Sequence, residues 1–209
     1  MDPDSAKFLA LGDSYTIGES VEPFQRWPVQ LAARLTNLGV PTEDPRIIAR
    51  TGWTTDELSA GIVEAGIRGT YDIVSLLIGV NNQYRGRDLE EYRSEFLDLL
   101  SQAVAFAGGD PKKVLVLSIP DWGVTPFAEG RDRVGIATEI DAFNAVNRIE
   151  SESAGVSYLD ITPISREAAS NPGLIADDGL HPSGAMYARW AEAALPYAVG
   201  ILGPAPGGG

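Results

Sequence analysis

Five short apolar runs, separated by longer amphipathic stretches, constrain the fold more than any other feature of this chain. Phe8 to Leu11, Arg46 to Arg50, Asp72 to Gly79, Lys113 to Ile119 and Gly155 to Asp160 are each of strand length. The third contains Ile73-Val74-Ser75-Leu76-Leu77-Ile78, apolar almost throughout, as a central strand covered on both faces must be. Between the runs the apolar spacing turns helical. Trp27 to Leu38 is apolar at 27, 31, 35 and 38 and is closed by Gly39 and Pro41. Thr54 and Glu57 have capping-box spacing and open a helix to about Ala65. Asp88 and Glu91 can cap the next, whose Tyr92, Phe96, Leu99, Leu100 and Ala103 form a stripe ending at Gly108-Gly109. Ile136 to Glu152 follows, through Ile140, Phe143, Val146 and Ile149. After a short helix and the Asn171-Pro172-Gly173 loop, Ser183 to about Val199 offers Met186, Trp190, Ala194 and Tyr197 for packing. Strands alternating with helices predict a right-handed, doubly wound α/β sandwich of three layers around a five-stranded parallel sheet, in the order 2-1-3-4-5.

With 209 residues, 44% of them hydrophobic, the chain is long enough for one sizeable core and short for two. Residues 1–202 read as a single domain and 203–209, Gly-Pro-Ala-Pro-Gly-Gly-Gly, as a flexible tail. Lys+Arg 16 against Asp+Glu 29 leaves a net charge of −13, a field that repels phosphate backbones and anionic lipid, so no nucleic-acid partner is expected. The absence of cysteine excludes disulfides, thiolate catalysis and cysteine-ligated metals. No basic n-region opens the sequence, and no run approaches the ~20 apolar residues of a membrane span. These features predict a cytoplasmic-type chain with no stable membrane insertion, and removal of a leader would leave the same picture. Nothing in the sequence sets the oligomeric state.

The first apolar run stops at Gly12-Asp13-Ser14, which places Ser14 at the carboxyl end of a strand. In an open parallel sheet, ligands and chemistry gather at that edge, so Ser14 is a candidate nucleophile. The tripeptide alone reads first as a plain turn in which the serine bonds a nearby backbone N–H. His181 is the only histidine, in Asp177-Asp178-Gly179-Leu180-His181-Pro182. A lone histidine is ordinarily structural, but a tight turn can bring the Asp178 carboxylate onto the ring three residues later, fixing the tautomer and leaving Nε2 as a base. Pro182 disfavours helix at His181 and keeps it in the loop ahead of the last helix. Asp177 reads as a solvated turn carboxylate.

An acyl-transfer site also needs preorganised donors for its oxyanion. Gly52, after the second strand, can present a backbone N–H, and Asn81, after the third, a side-chain NH₂. Either alone reads as a turn residue. Pro120 to Gly130 is rich in Pro and Gly and follows a strand's carboxyl end, which marks it as a functional loop. Tyr15, Trp53, Tyr84, Trp122 and Phe127 adjoin these motifs and are candidates either for a substrate pocket or for the core.

Taken in order, Gly12-Asp13-Ser14, Gly52, Gly79-Val80-Asn81-Asn82 and Asp178-Gly179-Leu180-His181 resemble the four motif blocks of the SGNH hydrolase superfamily, the GDSL esterases and lipases. The resemblance covers nearly the whole chain. It implies a flavodoxin-like fold and a serine esterase with Ser14 as nucleophile, His181 as base and Asp178 as orienter. It also implies an oxyanion hole of the Ser14 N–H, the Gly52 N–H and the Asn81 side chain, with no cofactor and no metal. Two positions depart from the pattern: Tyr15 stands where Leu is usual, and Asn82 where Asp is usual, exchanging a carboxylate for a neutral amide in the Asn81 loop.

Such a site would hydrolyse a carboxylic ester, and without a basic patch or lipid-binding helix a small soluble acyl or acetyl ester is the expected substrate. Three alternatives stand beside it. One is a non-catalytic phosphate- or nucleotide-binding protein cradling its ligand in residues 13–18, although the sequence lacks Gly-x-x-x-x-Gly-Lys-Ser/Thr and Gly-x-Gly-x-x-Gly. Another is an acyltransferase using the same residues. The third, a glycosidase built on Asp177-Asp178 or Glu90-Glu91, is weakened because those pairs are adjacent in sequence and read as a turn and a solvated helix face.

Overall fold

The computed structural model describes residues 5–203, so of the tail expected over 203–209 only Gly203 lies within them. Five parallel strands, β1 (Phe8–Gly12), β2 (Arg46–Ala49), β3 (Ile73–Leu77), β4 (Val114–Leu117) and β5 (Ser157–Leu159), form one sheet in the order β2-β1-β3-β4-β5. β1 lies between β2 and β3, with Leu9 opposite Arg46 on one side and Val74 on the other. Every residue of β1, β3 and β4 is buried, which explains why their sequences are continuously apolar rather than alternating. β2, at an edge, is only half buried and carries the exposed Arg46.

The helices are α1 (Ser14–Ile17), α2 (Trp27–Asn37), α3 (Thr55–Ala65), α4 (Val80–Tyr84), α5 (Leu89–Phe106), α6 (Arg133–Ser153), α7 (Thr162–Arg166) and α8 (Gly184–Leu202). α8 packs on α2, whereas α5 contacts both α3 and α6; α5 and α8 each also touch the central β3. The α2–α8 contact buries Trp27 and Trp190 completely. Gln30 Nε2 and Arg34 Nη2 donate to the α8 carbonyls of Gly184 and Ala188, at 3.1 and 3.3 Å. Each fully buried large side chain contributes about 1.5–3 kcal/mol, so this pair of helices is a principal support of the fold.

The capping expected at Thr54 is present as a reciprocal Thr54/Glu57 box, and Asp88 caps α5 by accepting from the N–H groups of Glu90 and Glu91. α6 begins three residues before the expected Ile136, because Asp132 accepts from Gly135 N–H and opens the helix there. Pro120 to Gly130 is not featureless: Trp122–Val124 and Pro126–Ala128 are 3₁₀ turns. Three residues expected to pack, Leu38, Ile149 and Tyr197, are exposed instead. Leu38 has passed the last helical residue, and Ile149 and Tyr197 have drifted off the buried face of long helices whose neighbours cover only a narrow stripe.

Candidate active site

Gly12 ends β1, and the chain turns at once into the single helical turn α1, with Asp13 as its N-cap accepting from Tyr15 N–H at 3.0 Å. A Cβ at Gly12 would overlap Thr16 and the Leu77 carbonyl, so only glycine lets the turn lie this close to β3. Ser14 is therefore the first residue of a helix, not a loop residue. Its N–H is one of the donors that a helix start leaves without an internal partner, and it makes no hydrogen bond among the described residues.

Asp13 is completely buried beneath Ser14. Burial pushes its carboxyl up to about 7, against the lowering effect of the Tyr15 N–H and the Asn81 amide. Asn81 stands in the first turn of α4, and its Nδ2 donates to the Trp53 carbonyl at 3.0 Å and to Asp13 Oδ2 at a long 3.4 Å. Next to it, Asn82 ties α4 to α3: its Oδ1 accepts from Thr55 N–H at 3.1 Å, and its Nδ2 donates to Thr55 Oγ1 at 2.6 Å. The Thr55 hydroxyl then donates to Glu95. The amide at 82 therefore anchors this loop as an acceptor and a donor at once. Gly52 has φ +87 and no hydrogen bond from its N–H among the described residues. Its carbonyl accepts from Arg85 Nη2 at 2.6 Å.

On the other side, His181 Nδ1 lies 2.6 Å from Asp178 Oδ2. Asp178 Oδ1 accepts from the N–H groups of Leu180 and His181, both at 2.9 Å, and Ser20 Oγ donates to Oδ2 at 2.7 Å. Partial burial pushes this carboxyl up, but the hydrogen bonds from His181, Leu180 and Ser20 outweigh it and hold the group down at about 2. The pair comes from one tight turn ahead of α8, which Ser183 caps. Tyr15, buried, sets its ring 5.2 Å from the imidazole, centroid to centroid.

Ser14, Gly52, Asn81 and His181 line one cavity of about 150 Å³, together with Tyr15, Tyr84, Trp122 and Phe127. Asp178 stands behind His181 and is not among the lining residues. No hydrogen bond joins Ser14 Oγ to the imidazole among the described residues. Trp53 is not in the cavity: its ring packs over α3 in the space left by Gly61, and only its carbonyl reaches the site. Tyr84, Trp122 and Phe127 form a wall with centroids 5.3–6.1 Å apart. Arg131 stacks its guanidinium 5.1–5.4 Å from all three rings. Thr51, Val80 and Leu180 also line the cavity, and their adjacency to motif residues was the only sequence signal for them. Asp177 is exposed and makes no side-chain hydrogen bond among the described residues. Those residues contain no group of three His, Cys, Asp or Glu side chains placed to hold a metal. Nor do they contain a helix long and apolar enough to cross a membrane.

The model of the GDSL-like lipase/acylhydrolase family matches residues 10–189. Among solved structures, the chain is similar to TesA, with a TM-score of 0.72 and 20% identity over 93% of this chain and 99% of that one. It is also similar to the lipase/acylhydrolase from Enterococcus faecalis, with a TM-score of 0.71 and 18% identity over 95% and 98% of the two chains. For Axe2, an acetylxylan esterase from Geobacillus stearothermophilus, the TM-score is 0.66 and the identity 20% over 97% of each. At these identities the likeness establishes the shared fold. No curated protein matches the chain by sequence.

Proposed function

Since the chain belongs to the GDSL-like lipase/acylhydrolase family and is thus an ester-hydrolysing enzyme, we propose that it cleaves small carboxylic esters through an acyl-enzyme on Ser14. The observation that carries this reading is the convergence on one cavity of a helix-start serine, an imidazole held by a carboxylate at 2.6 Å, and backbone N–H groups without a partner among the described residues. His181 Nε2 takes the Ser14 proton as Oγ attacks the ester carbonyl, and Asp178 holds Nδ1–H and steadies the imidazolium. The oxyanion is received by the N–H groups of Ser14 and Gly52 and by Asn81 Nδ2, whose long bond to Asp13 is the one it exchanges. The alcohol leaves with the proton from His181. Water, deprotonated by the same imidazole, then releases the acid. A cavity of about 150 Å³ with an aromatic wall supports a short acyl group.

Intact-mass analysis after fluorophosphonate treatment, alongside hydrolysis of p-nitrophenyl esters of increasing chain length, tests this. One adduct is expected on the parent and none on Ser14→Ala. Ser14→Ala and His181→Ala are each expected to lose ~10⁴-fold or more in kcat, and Asp178→Asn less than either. A Ser14→Ala enzyme with near-parental turnover would refute the mechanism.

A further inference from the structure

We propose that Ser20 is a positioning residue for this reaction, fixing the carboxylate that orients the base; the proposal rests on the Ser14–His181–Asp178 reading above. Ser20 is remote in sequence from Asp178, yet its hydroxyl donates to Oδ2 at 2.7 Å, the same oxygen that faces His181 Nδ1 at 2.6 Å. The two backbone N–H groups of Leu180 and His181 occupy Oδ1. Each carboxylate oxygen is thus held twice. Without Ser20, Oδ2 is held by the imidazole alone, the group whose orientation it has to set.

The backbone adds a second, independent observation. Among the described residues Ser20 is the one non-glycine in the left-handed region, at φ 62. Glycine would adopt that conformation without strain, so what serine adds at this position is its hydroxyl. The side chain is exposed and fills no space in the core. Its neighbour Glu19 accepts from the Thr51 hydroxyl, one residue before Gly52. The corner that follows α1 and its left-handed closing residue Gly18 therefore touches both the histidine turn and the oxyanion turn. Nucleophile, base and oxyanion donor come from three segments of the chain, and this corner joins all three.

In the reaction, Ser20 Oγ keeps Oδ2 in the plane of the imidazole while Nδ1–H gains acidity, and no bond to Ser20 is made or broken. The test separates geometry from stability. Ser20→Gly removes both strain and hydroxyl, and is expected to melt at or above the parental temperature while kcat falls about fivefold at unchanged KM. Ser20→Ala is expected to show the same loss in kcat and to melt below Ser20→Gly. Because the chain has 1 histidine, one imidazole Nδ1–H proton resonance reports on the pair directly. In Ser20→Gly it is expected to move downfield as Oδ2 loses its competing donor. Parental kcat together with a parental Nδ1–H resonance in Ser20→Gly would overturn the proposal, as would a loss carried by KM, which would put Ser20 in substrate binding instead. Ser14→Ala, measured in parallel, keeps the two readings apart: if it is active, the triad itself is wrong, whereas if it is inactive and Ser20→Gly is unaltered, only the role of Ser20 falls.

Discussion

Replacing Asp13 with asparagine should stabilise the protein progressively as the pH is raised. The carboxyl is fully buried, and its pKa is raised from 3.8 to about 7. A carboxyl raised in this way binds a proton in the native state that the unfolded chain has already released. The stability it contributes is therefore fully present below the unfolded value and is lost as the pH climbs through the native one. Each unit of difference is worth about 1.4 kcal/mol, so between about pH 5 and pH 9, where some two units of that interval lie, the wild type forgoes roughly 3 kcal/mol that Asp13→Asn does not. Asparagine can still accept from Tyr15 N–H through its oxygen. Its NH₂ then meets the Asn81 NH₂, donor against donor, so turnover should fall even as stability rises. Urea unfolding of both proteins at the two pH values gives the quantity needed, the mutant-minus-wild-type difference, from which other titrating groups cancel. A difference that does not change with pH would mean that the native carboxyl is ionised like any other and that the burial argument fails.

Asn82→Asp restores the residue usual in the family but should destabilise this chain by about 1–3 kcal/mol at neutral pH. Thr55 Oγ1 has one proton, now given to Glu95, and a second carboxylate would compete for it; thermal melts that converge with the parent as the pH is lowered would show this. Arg131→Ala removes a cation stacked on three rings at the cavity wall, where Tyr84 and Phe127 are 46% and 40% exposed and are not fixed by burial. It should cost under about 1 kcal/mol in stability yet raise the ratio of long-chain to short-chain p-nitrophenyl ester hydrolysis, and an unchanged ratio would exclude Arg131 from shaping the wall.

The strands and the long helices were legible because burial leaves its pattern on sequence, and the sheet order followed from the doubly wound class that their alternation implies. β3 is apolar throughout since both its faces are covered, and α5 shows its stripe at Tyr92, Phe96, Leu99 and Leu100 because only one face is. Elements shorter than one or two periods leave no such trace. α1 and α4, of 4 and 5 residues, read as turns although they carry Ser14 and Asn81 at their starts. The members of the site stood out by chemistry rather than pattern: the sole histidine, a carboxylate three residues before it, and a serine ending a buried run. The sequence left Trp53 open between pocket and core because the destination of its ring depends on a missing Cβ at Gly61, in the next helix. Ser20 was invisible because neither its left-handed backbone nor its bond to Asp178 has a signature in residue type.

The docking of α8 on α2 has a temporal consequence. Ser14 is synthesised before His181, and the turn that carries Asp178 and His181 is held against the sheet by a helix that follows it. In the proposed mechanism, a chain in which that turn has not yet docked holds a serine with no base to activate it, so Ser14 is not acylated by an ester. On that mechanism, hydrolysis would depend on the packing of α8 as much as on the residues that line the cavity.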